Sequence, residues 1–156
     1  MLEHIEDDRD ALRTIEKLLR PGGQLLIAVP SNPREWRWDD DFYGHYRRYT
    51  VETMTEKLLQ AGMQPRMFWD FTFPVYWALR RMYTRIKSPP PMTEDKESST
   101  KASSARNAWD LSFISKLLER TALLWYPVHR VQFWLFRNAT GKGHEFFVLA
   151  QKSAQG

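Results

Sequence analysis

Apolar and polar positions along the first thirty residues follow the spacing of a helix and then of a buried strand. Either Asp7 or Asp8 can cap a helix, and apolar residues then recur at helical spacing as far as Leu19. The sequence PGG at 21–23 ends this helix. The next run, QLLIAV, is continuously apolar, which is typical of a strand covered on both faces in a parallel sheet. Together these features predict an α/β unit.

The middle of the chain predicts a long loop, two helices and a strand. Residues 30–49 show no period, and long ordered loops that leave the end of a buried strand tend to be functional. Thr50 can cap a helix that Gly62 ends, and Met63–Phe71 has the pattern of a strand. Val75–Ile86 predicts an amphipathic basic helix.

The last part of the chain predicts a linker, further helices and a final strand. Residues 88–108 are rich in Pro, Ser, Thr and mixed charge, which favours a linker without stable structure. Helical spacing resumes at Leu111, and Pro127 is expected to kink or split this helical region before the strand HEFFVLAQK. We therefore expect three parts, at 1–87, 88–108 and 109–152.

Composition and charge exclude some classes of function. The 156 residues contain no cysteine, which excludes disulfides and thiolate metal sites and suits the cytoplasm. A net charge of +4 is too small to predict nucleic-acid binding. The most apolar run, at 121–136, is interrupted by His129 and Arg130, so we do not expect a membrane span. With no signal-like leader, we expect a cytoplasmic protein, with contact to a membrane surface as an alternative.

Two sequences carry a resemblance to a known family. The run LEHIEDDRDALRTIEKLLRPGGQLLIAVP at 2–30, with GHYRRYT at 44–50, resembles the class I S-adenosylmethionine-dependent methyltransferases. The final HEFFVLAQ is similar to the antiparallel last strand of that family. The resemblance implies a Rossmann-like three-layer α/β sandwich with a mostly parallel sheet and, here, an added C-terminal helical region. It also implies S-adenosylmethionine as cofactor and methyl transfer to a small-molecule or lipid-like acceptor.

The chain departs from this family at its amino-terminal side. Family members begin with strands and a glycine-rich cofactor loop, which lies between a strand and a helix. Neither the glycine pair at 22–23 nor the pair at 141 and 143 lies between a strand and a helix in this order. We therefore expect a truncated fold, the C-terminal part of the family's structure, that is poorly stable alone or self-associates through its incomplete sheet. The alternative function is a non-catalytic remnant or interaction module, or a subunit that another polypeptide completes.

The family motif implies roles for Glu3 and His4, and side-chain chemistry indicates roles for residues of the later loop. Glu3 and His4 occupy positions that border the cofactor, although they could instead only hydrogen-bond the loop. In the GHYRRYT segment (residues 44–50), His45 could take a proton from the acceptor and Arg47 could orient an anionic acceptor. The predicted substrate-binding residues are Tyr43, Tyr46 and Arg48.

Each of these assignments has a structural alternative. Tyr43, Tyr46 and Tyr49 could pack the loop onto the sheet, while Arg47 and Arg48 pair with the aspartates at 39–41. The aromatic half of the chain allows two interpretations as well. Its helices either cover the sheet, which we favour, or form an interfacial patch that presents basic side chains to lipid phosphates, namely Arg80, Arg81 and Arg85.

The histidines give no prediction of a metal site. The four histidines show none of the short spacings at which metal ligands usually recur, so we predict no metal; they are His4, His45, His129 and His144. No nucleophile motif such as Gly-x-Ser-x-Gly is present either, so hydrolase chemistry has no support.

Overall fold

The described part of the chain combines helices and strands. The structure, a computed structural model, describes residues 1–87 and 120–154. Short 3-10 turns at Leu2–His4 and Pro33–Glu35 accompany eight main elements. These are α1 (Asp8–Leu18), β1 (Gln24–Pro30), α2 (Trp38–Tyr43), α3 (Val51–Gln60), β2 (Met63–Asp70), α4 (Val75–Ile86), α5 (Ala122–Phe136) and β3 (Glu145–Lys152). This mixture of helices and strands is compatible with the predicted α/β class.

Side-chain caps fix the starts of α1 and α3. The Asp7 carboxylate accepts a hydrogen bond from the Asp10 N–H, 3.0 Å away. At α3, Thr50 Oγ1 accepts from the Thr53 N–H, and Thr53 Oγ1 accepts from the Thr50 N–H in return. Each bond satisfies a backbone donor that has no partner within the first helical turn. The caps predicted from sequence at these two helices are confirmed.

The sheet has three strands in the order β1-β3-β2, and both pairs are antiparallel. β1 and β2 therefore run in the same direction on either side of β3. The described residues contain one parallel bridge, between Ser31 and Tyr49. The expected mostly parallel sheet is therefore wrong for these strands, because β3 inserts between the two that share a direction. The antiparallel final strand is confirmed.

Helices α1 and α3 cover one face of this sheet and form the core. Leu12, Met54 and Leu58 are completely buried between helices and sheet, together with Phe146 and Val148 of β3. Apolar residues recur on one side of α1 and α3 because a period of 3.6 residues places them on one face. Alternate residues of β3 point to that face, which gives its strict in-and-out burial pattern.

The second face of the sheet is partly open. Leu26, Leu149 and Met67 are paired across the three strands, and the side chains of Leu26 and Met67 are 58% and 41% exposed. Within residues 1–87 and 120–154, no strand pairs with the outer edge of β1. The prediction that this strand is covered on both faces is therefore wrong for the described part of the chain.

Helix α5 packs against the end of β2 and the start of α4. The Gln132 side chain donates to the Phe71 carbonyl and accepts from the Val75 N–H. Pro127 lies inside the single helix α5, so the predicted split at this residue is wrong. Helix α4 has the predicted bounds. None of the helices within the described ranges is long and apolar enough to cross a membrane.

Two regions differ from the sequence analysis in other ways. Residues 38–43, predicted as loop, form the six-residue helix α2, whose start is held by a hydrogen bond from the Arg37 N–H to Asp40. A helix this short contains too few turns to show a hydrophobic period. The predicted linker at 88–108 and most of the helix predicted from Leu111 lie outside the described residues. The three-part division of the chain stays a prediction.

Candidate functional site

A cavity of about 410 Å³ lies at the carboxyl end of β1. Its walls come from the first 3-10 turn, the last residues of β1, helix α2, the GHYRRYT segment, Arg80 of α4 and the start of β3. Segments that are distant in sequence thus converge on one end of the sheet. Ligands of open α/β sheets bind at this end, outside the carboxyl ends of the strands.

Gly44 brings the GHYRRYT segment to the first 3-10 turn. Its φ of 73° is in the left-handed region, where glycine carries no Cβ penalty, and it ends α2 and reverses the chain. The Tyr46 N–H then donates to the Glu3 carbonyl at 2.8 Å. As a result the rings of His4 and His45 meet edge to face, with centroids 4.8 Å apart.

Asp40 is the centre of a buried network of charges at the cavity wall. Its side chain is 1% exposed, and its carboxylate lies 2.8 Å from His45 Nδ1, 2.9 Å from Arg48 Nε and 2.9 Å from an Arg80 nitrogen. Burial raises the pKa of Asp40, but the bond to His45 and the charges of Arg48 and Arg80 outweigh it and hold the pKa well below its usual range. An ionised carboxylate only accepts, so His45 Nδ1 donates the proton of this bond.

Arg80 completes the network from α4. Its guanidinium contacts both oxygens of Asp39, at 2.8 and 2.6 Å, and donates to the Glu35 carbonyl. The neighbouring Arg81 pairs with the Glu35 carboxylate and lies over the Trp77 ring. Arg80 is buried and held by carboxylates of this chain, so the idea that it faces lipid phosphates is wrong, whereas this role stays a prediction for the partly exposed Arg81 and for Arg85. Arg85 is exposed.

Three potential metal ligands meet in the cavity. Glu3, His4 and His45 each offer one ligand atom, and these atoms lie within 4.8 Å of one another. Burial and the nearby His45 lower the pKa of His4, which favours a neutral imidazole. Spacing along the sequence did not indicate this group, because the loop that contains His45 folds back onto the 3-10 turn. The expected absence of a metal stays a prediction.

The residues of this cluster fall in the part of the chain that matches a known family. Residues 1–66 match a family model described as a methyltransferase domain. The match confirms the resemblance to the methyltransferase family over that range, which includes Glu3, His4 and the GHYRRYT segment. No curated protein matches the chain.

The structure places five of the seven predicted site residues at the cavity of this methyltransferase-like region. These five line its wall: Glu3, His4, Tyr43, His45 and Arg48. Tyr46 and Arg47 do not line it. Arg47 instead donates to the carbonyls of Ile5 and Glu6 and lies 3.0 Å from an Asp8 oxygen. It thereby ties the segment before α1 to the loop, and its role toward an acceptor stays a prediction.

The structural alternatives are correct for some of the same residues. Arg48 pairs with Asp40, as one alternative states, whereas Arg47 pairs with Asp8 and not with the aspartates at 39–41. Tyr49 is buried and donates from its hydroxyl to Asp8 at 2.9 Å, which is the packing role. The segment thus combines residues that hold the loop with residues that line the cavity.

Several residues of the cavity wall were not identified from the sequence as site residues. Four of them are Asp40, Arg80, His144 and Glu145. Burial and the charges of Arg80 and Arg48 lower the pKa of His144 to about 3, and burial raises the pKa of Glu145. The run of aspartates at 39–41, beside two tryptophans, was a sequence signal for Asp40. The other three reach the cavity only through the fold.

Proposed function

We propose that this chain forms the acceptor side of an S-adenosylmethionine-dependent methyltransferase. The observation that supports this most directly is the position of the cavity, at the carboxyl end of β1 and largely within the residues that match a methyltransferase domain. The charged network around Asp40 holds its wall in one arrangement. Methyl transfer needs such a wall, because the protein mainly supplies proximity, alignment and a site from which water is excluded.

His45 is the residue at which we propose that the acceptor is activated. S-adenosylmethionine supplies an electrophilic methyl group on sulfur, and the acceptor oxygen or nitrogen must lose its proton as the new bond forms. Because Nδ1 of His45 donates to Asp40, Nε2 is the ring nitrogen that carries a lone pair when the imidazole is neutral. Proton acceptance by this nitrogen is the simplest form of the activation.

We propose that this cavity receives the reacting end of the cofactor and not its whole length. No glycine is among the described residues that line the cavity, so a glycine-rich cradle for the cofactor's methionine end is not part of this wall. Glu3 and His4 stand at the cavity as the resemblance implies, and their contact with the cofactor stays a prediction.

We also propose that the chain is the C-terminal part of a larger Rossmann-like sandwich. The open edge of β1 and the exposed row of Leu26 and Met67 support this, since a β-sheet usually buries such a face and pairs such an edge. The same open surface suits the rival function, an interaction module that binds another polypeptide and has no catalytic role.

The acceptor class that we propose is lipid-like. Helices α4 and α5 pack together through Tyr76 and His129, and both expose large apolar side chains. Residues 71–87 and 120–137, which contain these helices, include no acidic residue. An exposed apolar surface with basic neighbours is typical of proteins that contact anionic membranes.

One experiment separates the enzyme from the interaction module. The DNA upstream of the codon for Met1 is translated, and the enzyme proposal expects a strand and then a glycine-rich turn. A polypeptide that includes this segment should then bind S-adenosylmethionine in isothermal titration calorimetry. If neither the turn nor any cofactor binding is found, the interaction module becomes the better account.

A further inference from the structure

The cluster of Glu3, His4 and His45 has the composition of a metal site. Two imidazoles and one carboxylate form a ligand set that suits first-row divalent cations such as Zn²⁺ and Mn²⁺. Their ligand atoms all lie within 4.8 Å of one another, close enough for small side-chain movements to bring them around one ion. The cluster also lines the cavity, which gives an ion a path of entry.

A second observation independently indicates a ligand at this place. Glu3 is 8% exposed, and its Oε2 atom is buried without a hydrogen-bond partner. Its other oxygen, Oε1, contacts the amino-terminal ammonium at 2.6 Å and lies 3.6 Å from His4 Nε2. A buried carboxylate oxygen without a partner is costly, and a cation is the kind of partner that removes this cost.

Asp40 adds the outer contact that metal-binding histidines usually have. It accepts from Nδ1 of His45, which leaves Nε2 as the nitrogen that can coordinate an ion. Ligand histidines commonly donate their second N–H to a carboxylate in this way, because the contact fixes the ring and its tautomer. Arg48 and Arg80 in turn hold Asp40, so the ring of His45 has a rigid support.

We propose that Glu3, His4 and His45 bind a divalent transition-metal cation. The catalytic consequence rests on the proposed methyl transfer, whereas the binding itself does not. Three protein ligands leave a coordination position for an acceptor oxygen, and a bound cation lowers the pKa of such an oxygen, so that its proton passes to solvent. With the cation in place, His45 coordinates the ion and does not itself accept the proton of the acceptor.

Zn²⁺ binding to the untagged full chain tests this inference. Isothermal titration calorimetry in a buffer that does not bind metals should detect one equivalent of Zn²⁺. The His4→Ala and His45→Ala variants should each bind at least about tenfold more weakly. The matched control is His129→Ala, which changes a histidine on α5 outside the cluster and should leave the affinity unchanged.

The outcomes separate this inference from the proposed function. Absence of Zn²⁺ binding, or binding that both cluster variants retain, overturns the metal site and leaves methyl transfer with His45 as direct base. Circular dichroism checks the fold of each variant. If the His45→Ala variant unfolds, the His4→Ala variant alone tests the metal site. The His4 side chain is 25% exposed and lies at the rim of the network. Mg²⁺ serves as a comparison and should bind more weakly, because it prefers oxygen ligands.

Discussion

The cavity wall buries charged side chains, whereas the surface of α5 exposes large apolar side chains. At the cavity, charged groups are buried, with Asp40 and Arg80 1% and 6% exposed. Along α5, large apolar side chains are exposed, with Leu123 and Trp134 at 90% and 69%. Buried charges are tolerated at the cavity because each has partners of opposite sign within hydrogen-bond distance.

Under the proposed function, the two regions have different partners. The charges of Asp40, Arg48 and Arg80 are paired within the chain, so this part of the cavity wall is held in one arrangement, as the proposed small-ligand site requires. The exposed apolar side chains of α5, such as Leu123 and Trp134, are not covered by the described residues, and an exposed apolar patch usually marks an interaction surface. Substitutions at the cavity test whether its charge network stabilises the fold. Substitutions on α5 test whether its exposed surface binds a partner.

The largest effect is expected from Asp40→Asn. The variant keeps the shape of the side chain but removes a charge that faces Arg48 and Arg80, leaving buried cations without full compensation. We expect a loss of about 3–5 kcal/mol in the free energy of unfolding, measured by urea denaturation. The exposed Asp10→Asn is the control and should change the free energy by about 0.5 kcal/mol or less. Equal effects of the two variants would mean that the network does not stabilise the fold.

The next effect is a dependence of stability on pH that comes from His144. Its pKa of about 3 lies below the ordinary value of 6.5, so between these values only the unfolded state binds the proton. Stability therefore falls as the pH drops below 6.5, by up to about 1.4 kcal/mol per pH unit.

Comparison with His144→Gln isolates this contribution. Between about pH 7 and pH 5, the wild type should lose roughly 2 kcal/mol more of its unfolding free energy than the variant does. His129→Gln should keep the full pH dependence of the wild type. The same pH dependence in wild type and His144→Gln would show that His144 is not held neutral in the fold.

The smallest effect on stability is expected at α5. Leu124→Glu and Trp134→Glu change exposed residues and should alter the unfolding free energy by about 0.5 kcal/mol or less. Both should nevertheless reduce flotation of the protein with vesicles that contain an anionic phospholipid. Leu18→Glu, an equally exposed site on α1, should float like the wild type. If the wild type does not float at all, the proposed membrane contact is wrong.

Local patterns in the sequence predicted most elements of the described fold. The cap at Thr50, the bounds of α4 and the final strand depend on neighbouring residues, and all three are confirmed. The direction of strand pairing was predicted less well. It depends on where β3 inserts, and no residue of β1 or β2 carries that information. Helix α2 was missed because six residues are too few to show a period.

The candidate site was also predicted only in part, because some of its residues come together only in the folded chain. His45 and Glu3 are in motifs that could be recognised, and both line the cavity. Arg47 and Arg48 are adjacent in sequence and similar in chemistry, yet one holds Asp8 and the other Asp40. Which arginine reaches the cavity is decided by the turn at Gly44 and by the packing of the segment. Arg80 and His144 enter the site only through tertiary contacts.

The central claim is that the cavity beside His45 is the place of methyl transfer. The direct measurement is transfer of a radiolabelled methyl group from S-adenosylmethionine to lipid and small-molecule extracts, using the chain together with any segment that the DNA is found to encode in frame before Met1. The account predicts that His45→Ala lowers the transfer rate by about a hundredfold or more, while the exposed Asp10→Asn, on α1 away from both the cavity and α5, leaves it unchanged. Unchanged transfer by a correctly folded His45→Ala variant would contradict the claim.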